Sequence, residues 1–311
     1  MASDTTNPSP PRRIMIYDSM RTRSHLFFRY LSTSPKFHAA YHPFIMATFL
    51  GEERWALSAK VSPVRRKEIE TDMVPFLGTD TIASLTRSLR KNIATAEAKN
   101  LTLLSNEHIF NIIRPEILFQ LHRNASLIPT EENWTLLPSD LYPTFTPLFL
   151  IRHPIPKIDS TYRSVVTDMT IRASDEDYEI LCSYGPMRHL FDHYRSQGVE
   201  PIVVDGDDIV FRTEEVKGVL AAKLGVKEEG LRETWEEWPE EDRHENPLMK
   251  MFLSTIYASR GIERPERRDE WNLEETVRMW EGKYGGEEVG RLRKLVEVNI
   301  PHWEYLSGFK V

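Results

Sequence analysis

Four short apolar runs, each closed by a cluster of polar residues, set the rhythm of the chain. Arg13–Tyr17 (RIMIY), Leu101–Leu104 (LTLL), Pro147–Ile151 (PLFLI) and Pro201–Val204 (PIVV) have the length and continuous apolar character of strands covered on both faces. His38–Phe44 predicts a further extended segment. Between the runs the period changes. Ile82, Leu85, Leu89 and Ile93 recur at helical spacing and predict a helix over 80–99. Helices are also expected over about 24–31, 156–169 and 175–197, and the chain after Val204 reads as mainly helical to about Leu306. Strands alternating with helices predict an α/β fold: a central parallel sheet flanked by helices, with a largely helical C-terminal part. Ligands of such sheets bind at the carboxyl ends of the strands. The clusters Arg21–His25, Asn106–His108, Arg152–Pro154 and Asp205–Asp208 are therefore expected to meet at one edge.

The 311 residues, 40% apolar and 28% charged, suffice for one large domain or two small ones. The expected division is a disordered polar tail over 1–11 and a single domain over 12–311. A net charge of −7 argues against a nucleic-acid binder but leaves room for a local basic pocket. The lone Cys182 excludes an intrachain disulfide and argues against a cysteine zinc site. Met1–Pro11 lacks the apolar stretch of a signal peptide, and no window approaches the roughly 18–20 apolar residues of a membrane span. A cytoplasmic location without a membrane partner is expected. The acidic stretch 227–245, with Trp235 and Trp238, reads as a solvated helix and loop.

Candidate chemistry concentrates in two places. Asp18-Ser-Met-Arg-Thr-Arg-Ser-His25 joins a strand to a helix, and Arg21 and Arg23 supply forked donors for phosphate or sulfate oxygens. Thr22, Ser24 and the helix N-terminus add neutral donors. No Walker-type G-x-x-x-x-G-K-[ST] occurs, which disfavours an ordinary kinase or ATPase. In the second place, Leu150-Ile-Arg-His-Pro154 closes a strand and Ser160 follows eight residues after Arg152, so that both can grip one phosphate. His189 and His193 share a helix face without a metal motif and read as packing residues. The acids at 205, 207 and 208 fail the calcium-loop template, and Asp208 reads as a helix N-cap. No metal is expected.

These two elements resemble the phosphate motifs of the P-loop sulfotransferases. In that family a strand-loop-helix with the core P-[KR]-[ST]-G-[ST]-[ST] holds the phosphosulfate of 3′-phosphoadenylyl sulfate. A later L-I-R-[DN]-P strand, with a serine eight residues after its arginine, holds the 3′-phosphate. Arg21 matches the basic position of the first motif, and Thr22, Ser24 and His25 match its hydroxyl-rich positions, His25 by place alone. Arg152 and Ser160 match the second motif at full spacing. The family's Lys-x-His triplet corresponds to Asn106-Glu107-His108, which implies His108 as the base for an acceptor hydroxyl. Tyr41-His-Pro-Phe44 and Val203–Asp208 are similar to segments of a divergent, fungal-type branch. The resemblance implies a sulfuryl transferase that uses 3′-phosphoadenylyl sulfate as co-substrate. Its expected acceptor is a small organic molecule such as a secondary metabolite, and a homodimer is compatible with it. Aromatics within 45–80, 110–145 and 245–270, among them Phe49, Trp55, Phe110, Trp134 and Phe252, are candidates for the acceptor pocket or for the core.

The chain departs from the family pattern at several points. Met20 replaces the proline, Arg23 the glycine that lets backbone approach phosphate, and Asn106 the lysine of the triplet. The C-terminal Arg-Lys-Gly loop is absent, and Leu306–Lys310 does not replace it. Two alternatives therefore stand beside sulfuryl transfer. In one, the fold is repurposed and His25, His42, Glu107 and His108 drive an elimination or cyclisation without the donor. In the other, the chain binds a ligand without turnover.

Overall fold

The computed structural model describes residues 13–55, 63–124, 126, 128–166, 171–266 and 270–311; the tail expected over 1–11 lies outside them. Five strands form the sheet: β1 (Arg13–Asp18), β2 (Phe37–Tyr41), β3 (Thr102–His108), β4 (Thr146–Ile151) and β5 (Ile202–Asp205). All neighbouring pairs run parallel, in the order β2-β3-β1-β4-β5. Ile14–Asp18, Leu103–His108, Pro147–Ile151 and all of β5 are buried, as continuous apolar strands covered on both faces require. Helix Ile82–Ala98 packs on β2 and β3, Gly185–Ser196 on β4, and Gly286–Ser307 on β4, β5 and Pro154–Val165. From β1 the chain runs out towards β2, and from β4 it runs the other way towards β5. That reversal opens a crevice at the carboxyl ends of β1 and β4.

Several expectations needed correction. β3 runs four residues past its apolar run, because Ser105, Asn106, Glu107 and His108 keep the ladder while being buried polar residues. The helix expected over 175–197 is two, Glu176–Cys182 and Gly185–Ser196, broken where Pro186 opens the second. Of the helix expected over 156–169, the structure shows Pro154–Val165, and 167–170 lie outside the described residues. The acidic stretch 227–245 is mostly exposed loop, as expected, but it contains no α-helix. It holds short 3-10 turns, and Trp235 is buried with its indole donating to Ser259 Oγ at 3.0 Å. Asp208 is not the N-cap of the helix after β5. Asp205 is, accepting the Asp207 amide at 2.9 Å, while Asp208 lies within the helix and pairs with Lys310 at 2.8 Å.

One close approach ties this helix to the loop after β1. A Cβ on Gly206 would lie 2.2 Å from the Thr22 carbonyl oxygen. The contact is to backbone, so no rotamer change relieves it. Gly206→Ala is expected to cost about 1–3 kcal/mol of stability in urea unfolding.

Candidate active site

The floor of the crevice is set by strand register. Asp18 ends β1 and His108 ends β3, and the two are register partners, so their side chains leave the sheet on the same side. His108 Nδ1 is hydrogen-bonded to Asp18 Oδ1. Asn106, two residues earlier and hence on the same face, donates to the other Asp18 oxygen at 3.2 Å. Asn106 therefore braces the carboxylate that orients His108. Burial works against a charged His108, but the Asp18 charge and hydrogen bond, with Glu107 behind them, raise its pKa above the usual histidine value.

A second imidazole–carboxylate pair lies beside the first. Glu107 is fully buried and accepts from His42 Nδ1 (3.0 Å) and from the amides of Phe44 (2.8 Å), Ile45 (3.1 Å) and His108 (3.0 Å). Burial lifts its carboxyl to about 7, against the pull of the His108 charge and the three amides. The His42 and His108 rings are 4.6 Å apart between centroids, and His25 stands 6.1 Å beyond His42. Burial, then the neighbouring positive groups, hold His25 and His42 well below the ordinary histidine range. The cluster thus keeps two neutral imidazoles next to one that readily takes a proton.

The wall comes from the loops after β1 and β4. Arg21 and Arg23 hold φ of 63° and 68°, the left-handed region, at a cost of about 1–2 kcal/mol each. Side-chain contacts hold them there: Arg21 Nε donates to Ser160 Oγ at 2.8 Å, and Arg23 Nε meets Asp207 Oδ1 at 2.6 Å. Arg152 Nε reaches the same Asp207 oxygen at 3.0 Å, and its Nη1 donates to the Arg21 carbonyl at 3.2 Å. Tyr184 pins the Arg152 backbone, its hydroxyl accepting from the amide at 2.9 Å and donating to the carbonyl at 2.8 Å. The first turn of the helix α1 (Ser24–Ser32) carries no acidic residue, so its N-terminal field remains available to an anion.

These side chains enclose a cavity of about 730 Å³. Arg21, Arg23, Ser24, His25, Arg152 and Ser160 line its polar side, His42 and His108 its floor, and Ile45, Phe49, Phe110, Leu248, Met249, Phe252 and Ile256 its apolar side. A second cavity of about 550 Å³ shares Arg23 and Arg152 and is also lined by Phe211, Trp271 and Trp303 and by Asp205, Asp207 and Asp208. The structure thus brings together every predicted site residue except Thr22. That residue is fully buried and its hydroxyl donates to the Ser19 carbonyl at 2.8 Å, so its side chain does not serve the cradle. Ser160 pairs with Arg21 rather than with Arg152. Of the candidate aromatics, Phe49, Phe110 and Phe252 line the cavity, whereas Trp55 and Trp134 are core residues. His193 stacks on Trp134 with centroids 4.0 Å apart and bonds the Glu132 carbonyl at 2.8 Å, a packing role. Among the described residues no group of three His, Cys, Asp or Glu side chains is placed to hold a metal, and no helix is long and apolar enough to cross a membrane.

Sequence reasoning missed Asp18, Asp207 and the fully buried Lys157. The Lys157 ammonium donates to the Cys182 carbonyl at 2.6 Å and lies 4.8 Å from the Tyr184 ring centre. Burial lowers its pKa to about 8.

No family model matches the chain. The sulfotransferase ppzF of Metarhizium majus is 28% identical over 190 residues, covering 57% of this chain and 56% of that protein. Its counterpart in Metarhizium rileyi is 27% identical over the same coverage. The chain is similar to these fungal sulfotransferases over that stretch. The match spans little more than half the length of these relatives. Among solved structures, the sulfotransferase domain from the curacin biosynthetic pathway covers 93% of this chain and 99% of its own, with 15% identity and a TM-score of 0.46. In this chain, the positions that resemble the sulfotransferase phosphate motifs and histidine all border one cavity, Thr22 excepted.

Proposed function

We propose that the chain transfers a sulfuryl group from 3′-phosphoadenylyl sulfate to a hydroxyl of a small organic molecule. The observation that carries this reading is one cavity with an arginine-rich anion cradle on one side and a carboxylate-oriented histidine at its floor. The residues fit the donor: Arg21, Arg23, Arg152, Ser24, Ser160 and the N-terminus of α1 offer charged and neutral donors to phosphate and sulfate oxygens.

When bound, the donor supplies an activated sulfuryl group. Arg21, beside the first turn of α1, neutralises charge on the 5′-phosphosulfate as its bridging S–O bond breaks. Arg152 and Ser160 hold the 3′-phosphate. Asp18 fixes His108 Nδ1, leaving Nε2 to take the acceptor's proton as the new S–O bond forms. The apolar side of the cavity positions the acceptor and excludes water.

A calorimetric titration with 3′-phosphoadenosine 5′-phosphate tests the reading. Binding by the native chain is expected, and Arg21→Ala should weaken it by about 10–100-fold through the loss of a charged hydrogen-bond donor. A folded chain that does not bind this nucleotide would refute the donor reading.

A second reading is favoured by the paired dyads. His42–Glu107 lies beside Asp18–His108, and His42 Nε2 is buried with no hydrogen-bond partner. Two imidazoles of opposite protonation preference suit elimination or cyclisation without a sulfate donor. Turnover of an acceptor in the absence of donor would select it. Ligand binding without any turnover would leave a binding protein.

A further inference from the structure

Asp207 is the one carboxylate among the described residues seen to bridge the two phosphate loops. Its Oδ1 receives Arg23 Nε at 2.6 Å and Arg152 Nε at 3.0 Å, with side-chain exposures of 20%, 15% and 21% for Arg23, Arg152 and Asp207. The backbone fixes this position, since the Asp207 amide is held by Asp205 and the adjacent Gly206 is pressed against the Thr22 carbonyl. Two guanidinium groups converging on one partly buried oxygen is the arrangement in which a phosphate oxygen is bound.

We infer that Asp207 is an internal stand-in for a nucleotide phosphate: it holds Arg23 and Arg152 in the ligand-free chain, and the 3′-phosphate must displace it. Asp207 is then a specificity-determining residue for the donor, and the inference rests on the donor reading above. Its charge opposes the phosphate twice. It competes for the same two arginines, and once displaced it remains in a cavity that also carries Asp205, Asp208, Glu266 and Glu270. Asp208 is matched by Lys310 at 2.8 Å and Arg212 at 3.4 Å, and the structure shows it bonded to neither Arg23 nor Arg152. Asp208 therefore separates direct competition from simple net charge.

The test compares the wild type, Asp207→Asn and Asp208→Asn. Each is titrated with 3′-phosphoadenosine 5′-phosphate and with adenosine 5′-monophosphate, after thermal unfolding has confirmed that it is folded. Asp207→Asn is expected to raise the preference for the bisphosphate over the monophosphate by about tenfold or more, and Asp208→Asn to change it far less. If Asp207→Asn does not fold, Asp207→Ser serves in the same comparison. If the wild type binds the bisphosphate and the Asp207 variant leaves the preference unchanged or lowers it, the stand-in role is overturned and the donor reading stands. An equal gain in Asp208→Asn also overturns it, in favour of general charge repulsion. If neither wild type nor variant binds the bisphosphate, both readings fall together.

Discussion

Turnover by His108→Ala is expected to fall by about 10²–10⁴-fold, the usual worth of a positioned general base, while the nucleotide still binds. The readout is sulfuryl transfer to a simple phenol, with calorimetry reporting binding. Loss of binding together with turnover would make His108 a structural residue. The pH profile adds a second constraint. A base acts in its neutral form, and the Asp18 charge and hydrogen bond, overcoming burial, raise the His108 pKa above the ordinary value of 6.5. The acid limb of kcat/KM should therefore lie above that value. Asp18→Asn removes the charge that favours the imidazolium, so the limb should move to lower pH. The maximal rate should fall too, because Nδ1 loses the acceptor that fixes its tautomer. A limb that does not move on this substitution would sink the dyad assignment.

Removing the Glu107 carboxylate should have the largest effect on stability. Glu107→Ala strands three buried amides and His42 Nδ1 at once, and is expected to cost about 3–5 kcal/mol in urea unfolding. The group also leaves a pH signature. Its folded pKa is about 7 against 4.5 for the free side chain, so the folded state keeps this proton longer than the unfolded one. Between those two values the carboxyl's contribution declines as pH rises, by roughly 3 kcal/mol in all. His25 and His42, held low, act in the opposite sense below pH 6.5, so the wild-type curve alone does not isolate the effect. Glu107→Gln cannot titrate, and the difference between its stability curve and that of the wild type should carry the slope.

The sheet was legible because buried parallel strands are written as apolar runs, and the two arginine-bearing loops beside the cavity because arginine and serine stand at fixed offsets from the strand ends. Arg152 and Ser160 were singled out by their spacing and by the motif it resembles, and both line the cavity. Asp18 was not, because its role depends on a partner 90 residues away that strand register brings alongside. Asn106 looked like a lost charge, and in the structure it steadies the Asp18 carboxylate. Asp207 escaped for a related reason. Three acids in four residues suggest a metal loop or a cap, and only the packing of β5 beside β4 shows which one faces the arginines. The break after Cys182 was overlooked although Gly185-Pro186 announces it, because the apolar spacing continues across it.

Asp18 and His108 are delivered by adjacent strands in the interior of the sheet, whereas much of the apolar wall they face belongs to helix Pro247–Ala258 and the loop through Pro265. On the proposed function, chemistry and much of the acceptor wall are thus encoded in separate stretches of the gene, with Phe110 as a wall residue close to His108. On that reading, substitutions that reshape this wall should leave the Asp18–His108 pair undisturbed, so that acceptor preference changes while the proposed catalytic step is kept. In a library diversified over residues 248–265, altered acceptor preference should be common and loss of the acid–base pair rare; over residues 18–25 and 106–108 the proportions should reverse.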